Sequence, residues 1–315
     1  MALSSGFLLI NKPEGPTTFQ LLAPLRKKWR GHKIGHAGTL DAGASGLVIA
    51  AVGKASRLLS LVEAEEKEYS FRLHLGFRTD TGDLTGKVVE KLDHFTAAPE
   101  NIEKVLPKFI GEQLQQPPLY SALKVDGKRA SDRVRAGEEV VLKPREIVIR
   151  ELELLPAGEG DQLPYPCFDL RAVVSKGTYI RALGRDLAEA MGGIGTVSRI
   201  RRLRIGSASL HSSWNWSGDG EIPELISPEE LLSLPRLTLS SPELHLLRNG
   251  VRIALSRVER ESSLSEGDFC FLFDEAGELQ LLAALRRGCD PYSSSGKEET
   301  LLLSPQVQLL PQVAK

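Results

Sequence analysis

Residues 35–56, GHAGTLDAGASGLVIAAVGKAS, constrain the fold more than any other stretch of the chain. The second half, 47–52, is an unbroken apolar run between Gly46 and Gly53. That is strand length, and a strand apolar on successive residues reads as fully buried, with both faces covered. The first half is its opposite. One carboxylate, Asp41, stands among Gly38, Gly43 and Gly46, with only Ala, Ser and Thr as other small neighbours. An aspartate in such a loop ordinarily stabilises a turn through its own backbone. Small residues also let a flat ligand approach the main chain closely, and a carboxylate held ionised and in place can serve as nucleophile or base.

Around this stretch the periodicity predicts an α+β chain. A short strand at 7–11 ends at the breaker KPEGP. Thr17 or Thr18 caps a helix running to Trp29, with Phe19, Leu22 and Leu25 at helical spacing. Residues 31–46 read as loop and 54–66 as helix. At 69–75, Tyr69, Phe71, Leu73 and Leu75 alternate with Ser70, Arg72 and His74, a strand signature. Turn chemistry at 76–86 leads to a strand at 87–92, and a helix follows at 98–109. The basic, Pro-containing segment at about 113–140, with a turn at Asp126-Gly127, reads as a mobile insertion that touches a ligand. Strands are expected at 146–155 and 168–174, then a helix opening at Gly177-Thr178 and stopped by Gly192-Gly193. After a linker starting at 215–220, short strand-like runs separated by turns imply a small β-rich domain. The expected organisation is residues 1–236 as one domain and 237–315 as a second. Mixed, antiparallel-looking strands with scattered helices argue against a doubly wound sheet.

Charge is balanced overall, 40 Lys and Arg against 41 Asp and Glu, so the total argues for no partner. Its distribution is uneven. Residues 26–57 carry seven Lys/Arg and one Asp, 171–206 carry eight and two acids, and 218–315 carry nine against sixteen acids. Two basic surfaces and an acidic C-terminal unit follow. Three cysteines without a C-x-x-C give neither a disulfide framework nor a zinc site. The apolar run 7–10 is too short for a signal peptide and no stretch approaches a membrane span, so a cytoplasmic protein is expected. Gly53-Lys54-Ala55-Ser56 lacks the first glycine and the following Ser/Thr of a phosphate-binding loop, and Gly31, Gly35 and Gly38 do not match G-x-G-x-x-G. His32 and His36 have metal-ligand spacing, but the glycines beside them disfavour a helix and no third ligand stands near. No metal and no cofactor is expected.

Two further residues have alternative readings. Arg181 falls in the first turn of the helix after Gly177, where the helix dipole disfavours a cation. It is either a solvated surface arginine or one that faces an anion, paired two-pronged with a carboxylate. Tyr69 lies on the apolar face of its strand, as core packing or as a ring stacked on a base.

Together these segments resemble the TruB family of tRNA pseudouridine synthases. The family's G-H-x-G-x-L-D motif appears as GHAGTLD, with NKPEGPTTF before it. EYSFRLHLGFRTDTGDLTG, PPLYSALKVDGKRA, SKGTYIRALGRDLAEAMGG and RIRRLRIG follow in order. The resemblance covers roughly 7–206 and continues weakly through ISPEELLSLPRLTL and LLRNGVRI. It implies a pseudouridine synthase fold, a central mixed and largely antiparallel sheet with a catalytic cleft, a thumb-like RNA-binding insertion at about 113–140, and a PUA-like C-terminal domain. It implies Asp41 as the catalytic aspartate, Arg181 as its partner and Tyr69 as the tyrosine against the target base. His36 then helps hold the opened T loop, Tyr179 and Ile200 contact substrate, and Lys12 and Pro13 support the site. The implied reaction is isomerisation of uridine 55 in the T arm of tRNA by base flipping, without a cofactor, by a stand-alone monomer. The alternatives are a non-catalytic tRNA-binding protein and a relative directed by a guide RNA. The chain departs from the family at Ala37, where Thr is usual, at Ala42-Gly43, where Pro-Leu is usual, and at Ile200, where Leu is common. The small residues at 42–43 predict a less rigid loop.

Overall fold

The computed structural model describes residues 5–93, 95–156, 165–215, 221–258, 264–289 and 299–309. Of the linker expected to start at 215–220, Asn215 ends the strand Trp214–Asn215 and the rest lies outside the described residues. At the centre is a ten-stranded mixed sheet. Its main path runs Trp214–Asn215, Gly6–Lys12, Ser45–Val52, Gly195–Ile205, Lys67–Leu75, Cys167–Val174, Arg145–Leu154, Gly111–Gln115. Two pairings are parallel, the first in that order and the one between Ser45–Val52 and Gly195–Ile205; the others are antiparallel. The expected α+β class and the mixed, largely antiparallel sheet are what the chain adopts.

The apolar run at 47–52 is explained by what covers it. Val48 and Ala50 face a core with Phe71, Leu73 and Leu183, while Leu47, Ile49 and Ala51 face a second core. That second core includes Phe271, Phe273 and Leu282 from a separate five-stranded sheet. All six residues from Leu47 to Val52 are 0% exposed, so no position could alternate to a polar residue. The second sheet orders Arg236–Thr238, Phe269–Phe273, Leu279–Cys289, Glu299–Gln308 and Ile253–Ala254. Its residues split with period two. Phe271 and Phe273 pack toward the central sheet, and Cys270 and Leu272 toward the helix Ser241–Arg248 with Leu244 and Leu247.

Several local expectations are corrected. The helix expected from 18 to 29 is two short helices, Thr18–Leu21 and Ala23–Lys28, because Pro24 starts a new helix more readily than it continues one. Thr17 is the cap, in a capping box with Gln20. Phe19, expected on the apolar face, is 68% exposed, while Leu21, Leu22 and Leu25 are buried. The 31–46 loop contains the strand Ile34–Ala37, paired with Ser45–Val52. The 54–66 helix begins as the 3₁₀ segment Gly53–Leu58 before Leu59–Ala64, and the 98–109 helix divides into Pro99–Glu103 and a 3₁₀ turn, Leu106–Phe109. Residues 113–115 of the segment expected as an insertion belong instead to the edge strand Gly111–Gln115. The segment also holds the hairpin Lys124–Val125 and Lys128–Arg129, turned at Asp126 (φ 52°) and Gly127 (φ 82°), and the helix Ala130–Arg135. Positive φ at both turn residues suits a two-residue hairpin. In the C-terminal part, the start of LRNGVRI ends the helix Ser241–Arg248 instead of forming a strand, behind a Ser240–Glu243 capping box.

In the strand Lys67–Leu75 the polar residues Arg72 and His74 are buried as well. Arg72 forks onto Asp169 at 2.8 and 2.7 Å, and His74 Nε2 lies 2.8 Å from Ser198 Oγ. These partners come from the two flanking strands and let polar side chains enter a sheet centre at low cost. Among the described residues no helix is long and apolar enough to cross a membrane.

Candidate active site

Asp41 sits in the loop between Ile34–Ala37 and Ser45–Val52, and that loop is braced on several sides. The Ala44 N–H donates to the Asp41 carbonyl at 3.1 Å, closing a turn. Thr18 Oγ1 accepts the Leu40 N–H at 3.1 Å and donates to the Leu40 carbonyl at 3.2 Å. The Gly15 N–H donates to the Ala42 carbonyl at 2.9 Å. Beneath the loop, Lys12 Nζ donates to the carbonyls of Pro13 (3.0 Å), Ala42 (3.3 Å) and Ala44. Lys12 is fully buried, and burial pulls its pKa down to about 8 although the charges of Asp41 and Glu14 favour the ammonium. At the loop's exit, Gly46 has φ +103°, and a Cβ there would lie 2.3 Å from the Arg202 carbonyl oxygen. Hydrogen bonds from neighbouring segments thus reach the loop at Leu40, Ala42 and Ala44.

Arg181 enters from the first turn of the helix Ile180–Ala190 and is 5% exposed. Its Nη2 lies 2.8 Å from Asp41 Oδ2 and also donates to the Tyr120 carbonyl at 2.8 Å. Nη1 donates to the Thr81 carbonyl at 2.7 Å, and Nε stands 3.8 Å from Asp83 Oδ2. The expected two-pronged pair is therefore a single prong. Backbone carbonyls take the rest of the fork and orient the guanidinium independently of Asp41. Two carboxylates and two carbonyls also offset the unfavourable helix dipole. Asp83 is itself held by Thr81 Oγ1 at 2.8 Å, the Thr85 N–H at 3.0 Å and the Thr85 hydroxyl. The Asp41 side chain is 48% exposed.

Tyr69, Tyr179, Arg181 and Ile200 line one cleft of about 560 Å³ with Asp41. Tyr69 is nearly buried, with one edge reaching the cleft. Ile200 arrives there through a bulge. Ser198 pairs with Arg72 and Arg201 with Ser70, so Arg199 (φ 51°) and Ile200 together oppose Phe71. Tyr179 is clamped by Gln115, whose Oε1 accepts the Tyr179 N–H at 2.8 Å and whose Nε2 donates to the Tyr179 carbonyl at 3.2 Å. Burial raises the pKa of its hydroxyl, with Arg145 opposing and Asp41 reinforcing. His36 lines an adjoining cavity of about 750 Å³, which Asp41 and Arg181 share. Burial, then Arg202 and Arg26, lower the pKa of His36, and its Nδ1 is buried without a hydrogen-bond partner among the described residues. Pro13 contributes its carbonyl to Lys12 and stays outside both cavities.

Sequence reasoning missed three supports. Arg202, 1% exposed, ties the loop's two ends by donating from Nε to the Leu47 carbonyl at 2.7 Å and from Nη2 to the Gly38 carbonyl at 3.0 Å. It is hidden in RIRRLRIG, which reads as surface charge. Asp83 reads as turn chemistry, and Gln115 carries no sequence signal. No group of three His, Cys, Asp or Glu that could hold a metal occurs among the described residues.

The arrangement positions a half-exposed carboxylate, gripped by a buried arginine, on the floor of a cleft walled by a tyrosine and an aliphatic side chain. The model of the TruB family pseudouridylate synthase N-terminal domain matches residues 26–180, which carry Asp41, Tyr69 and the start of the Arg181 helix. Protein named tRNA pseudouridine synthase B from Borreliella burgdorferi (strain ZS7) is 35% identical over 249 residues, covering 79% of this chain and 86% of that protein. The chain belongs to the TruB family. The protein of that name from Zymomonas mobilis is 37% identical over 273 residues, covering 82% and 87% of the two chains. A solved Cbf5-Nop10-Gar1 complex matches with TM-score 0.67 at 24% identity, over 97% of this chain and 85% of that one, a likeness of fold. The pseudouridine synthase fold expected from the TruB motifs is thus the fold of this chain, with the five-stranded sheet as its β-rich C-terminal part.

Proposed function

We propose that this chain isomerises uridine 55 in the T arm of tRNA to pseudouridine. The N1–C1′ bond breaks, the uracil turns within the cleft, C5 bonds to C1′, the C5 proton passes to solvent and N1 takes up a proton, so atoms balance as an isomerisation. The observation that carries the reading is the Asp41–Arg181 pair. Arg181 is held by the Thr81 and Tyr120 carbonyls and meets Asp41 at Oδ2, while the half-exposed carboxylate faces the cleft, where it can act as nucleophile or base. Tyr69 and Ile200 supply the walls between which a flipped uracil stacks, and Tyr179 and His36 contact the substrate around it. Lys12 and Pro13 hold the loop from below. The names of the TruB relatives support tRNA as the substrate. Extruding the target costs a few kcal/mol, which contacts from the two basic surfaces offset, so affinity falls as salt rises. The enzyme works without a cofactor, as a monomer in the cytoplasm, with residues 1–236 as catalytic domain and 237–315 as a PUA-like domain.

The test is tritium release from 5-tritiated uridine in an unmodified tRNA transcript. Wild type releases tritium at one site, and Asp41→Asn binds the tRNA but releases none. Turnover by Asp41→Asn at the wild-type rate rejects the assignment. A pure tRNA-binding protein would bind tightly, form no product and be indifferent to the substitution.

A further inference from the structure

The cavity of about 750 Å³ beside the cleft has one wall that the proposed chemistry does not use, Phe19. Its side chain is 68% exposed, the most exposed aromatic among the large hydrophobic side chains that stand out to solvent. Burying apolar rings is the usual fate of phenylalanine, so an aromatic left open on a short helix needs a reason. Three observations supply one. The Arg26 guanidinium lies 4.4 Å from the centroid of the Phe19 ring, and Arg26 Nη1 donates to the Phe19 carbonyl at 3.1 Å. One face of the ring is thus backed by a cation and held in orientation. The neighbouring residue, Thr18, makes the paired hydrogen bonds to Leu40, so the ring is fixed relative to Asp41, one residue further on. The same cavity is lined by Arg129, by Arg135, which pairs with Asp132 at 3.6 Å, and by His36. An open π face with cations around it and a fixed registry to the reactive carboxylate suits a base on a polyanionic strand. It suits an apolar peptide poorly.

We infer that Phe19 is a stacking platform for an unpaired nucleobase of the substrate loop, next to the nucleotide delivered to Asp41. This rests on the reading that the chain acts on a tRNA T arm. The stacked base would hold the opened loop from one side while the target occupies the cleft. Phe19 is a binding residue here, with no part in bond making.

The test measures Kd and single-turnover tritium release for a T-arm stem-loop RNA, with wild type, Phe19→Ala, Phe19→Leu and Phe19→Trp. Base stacking on an aromatic predicts that Phe19→Ala and Phe19→Leu weaken binding about 5- to 150-fold, and that Phe19→Trp restores it. The melting temperature should stay close to wild type in all of them, since the side chain is exposed. Single abasic nucleotides placed in turn through the loop should reveal one position that weakens wild type as much as Phe19→Ala does and has no further effect on that variant. If wild type binds and modifies the RNA while Phe19→Leu binds equally well, or if no abasic position couples to Phe19, the platform is refuted and the catalytic reading stands. If wild type neither binds nor modifies the RNA, both fail.

Discussion

Arg181→Lys separates the charge beside Asp41 from the geometry that delivers it. In wild type the guanidinium makes hydrogen bonds at 2.7 and 2.8 Å to the Thr81 and Tyr120 carbonyls, meets Asp41 at 2.8 Å and stands 3.8 Å from Asp83. These partners surround a planar fork. A lysine keeps the positive charge but presents it from one atom and cannot serve all of them. At least two hydrogen bonds to a charged group are lost, each about 1.5–3 kcal/mol, and water or a shifted Asp83 recovers part. The expected stability loss is ~2–4 kcal/mol by urea denaturation. Asp41 then loses its fixed partner, and kcat for tritium release should fall about 10²- to 10³-fold, equivalent to ~3–4 kcal/mol of activation free energy. KM should change only about threefold, because Tyr69, Ile200 and Phe19 are untouched. A folded Arg181→Lys protein with kcat close to wild type would refute the view that the fork orients Asp41. A fall in stability without a fall in rate would make Arg181 part of the scaffold alone.

Two further outcomes follow from the loop's supports. Lys12 has a folded pKa of about 8, below its ordinary 10.5, so the unfolded chain binds more protons between those values and stability rises with pH across that window. The stability of wild type relative to Lys12→Met, from urea midpoints at each pH, should therefore increase by roughly 2–3 kcal/mol between about pH 7.5 and 10.5; a flat difference would contradict the burial of its charge. A Cβ on Gly43 would lie 2.8 Å from Thr85 Cγ2, and the Thr85 hydroxyl is committed to Asp83. Gly43→Ala should cost ~1–3 kcal/mol and lower kcat through Asp83 and Arg181, and Thr85→Ser in the same chain should restore both. Equal losses with and without Thr85→Ser would place the strain elsewhere.

Much of the fold is legible along the chain wherever one periodicity dominates. The run 47–52, the alternation at 69–75, the turn at Asp126-Gly127 and the helix after Gly177 all carry signals within a few residues, because burial on one face imposes a local pattern. The candidate site is legible as residue types, Asp41, Tyr69 and Arg181, and as ordered motifs of a family. Its geometry is not. Ile34–Ala37 becomes a strand because Ser45–Val52 offers it an edge, and its own Gly and His have no strong strand preference.

What the sequence by itself determined is which segments must be covered and which residue types surround the loop of Asp41. What only the tertiary structure decided is how that loop is held. Arg202 reaches the Leu47 carbonyl from 155 residues away, and Arg181 reaches the Thr81 carbonyl from 100. Backbone carbonyls have no residue identity, so no pattern in the sequence announces that one will anchor a distant arginine. The same holds for other buried polar side chains: Lys12 meets carbonyls of the Asp41 loop, and Arg72 and His74 meet side chains on the two flanking strands. A buried polar group is stable only where its partner arrives, and the arrival is a property of the folded sheet.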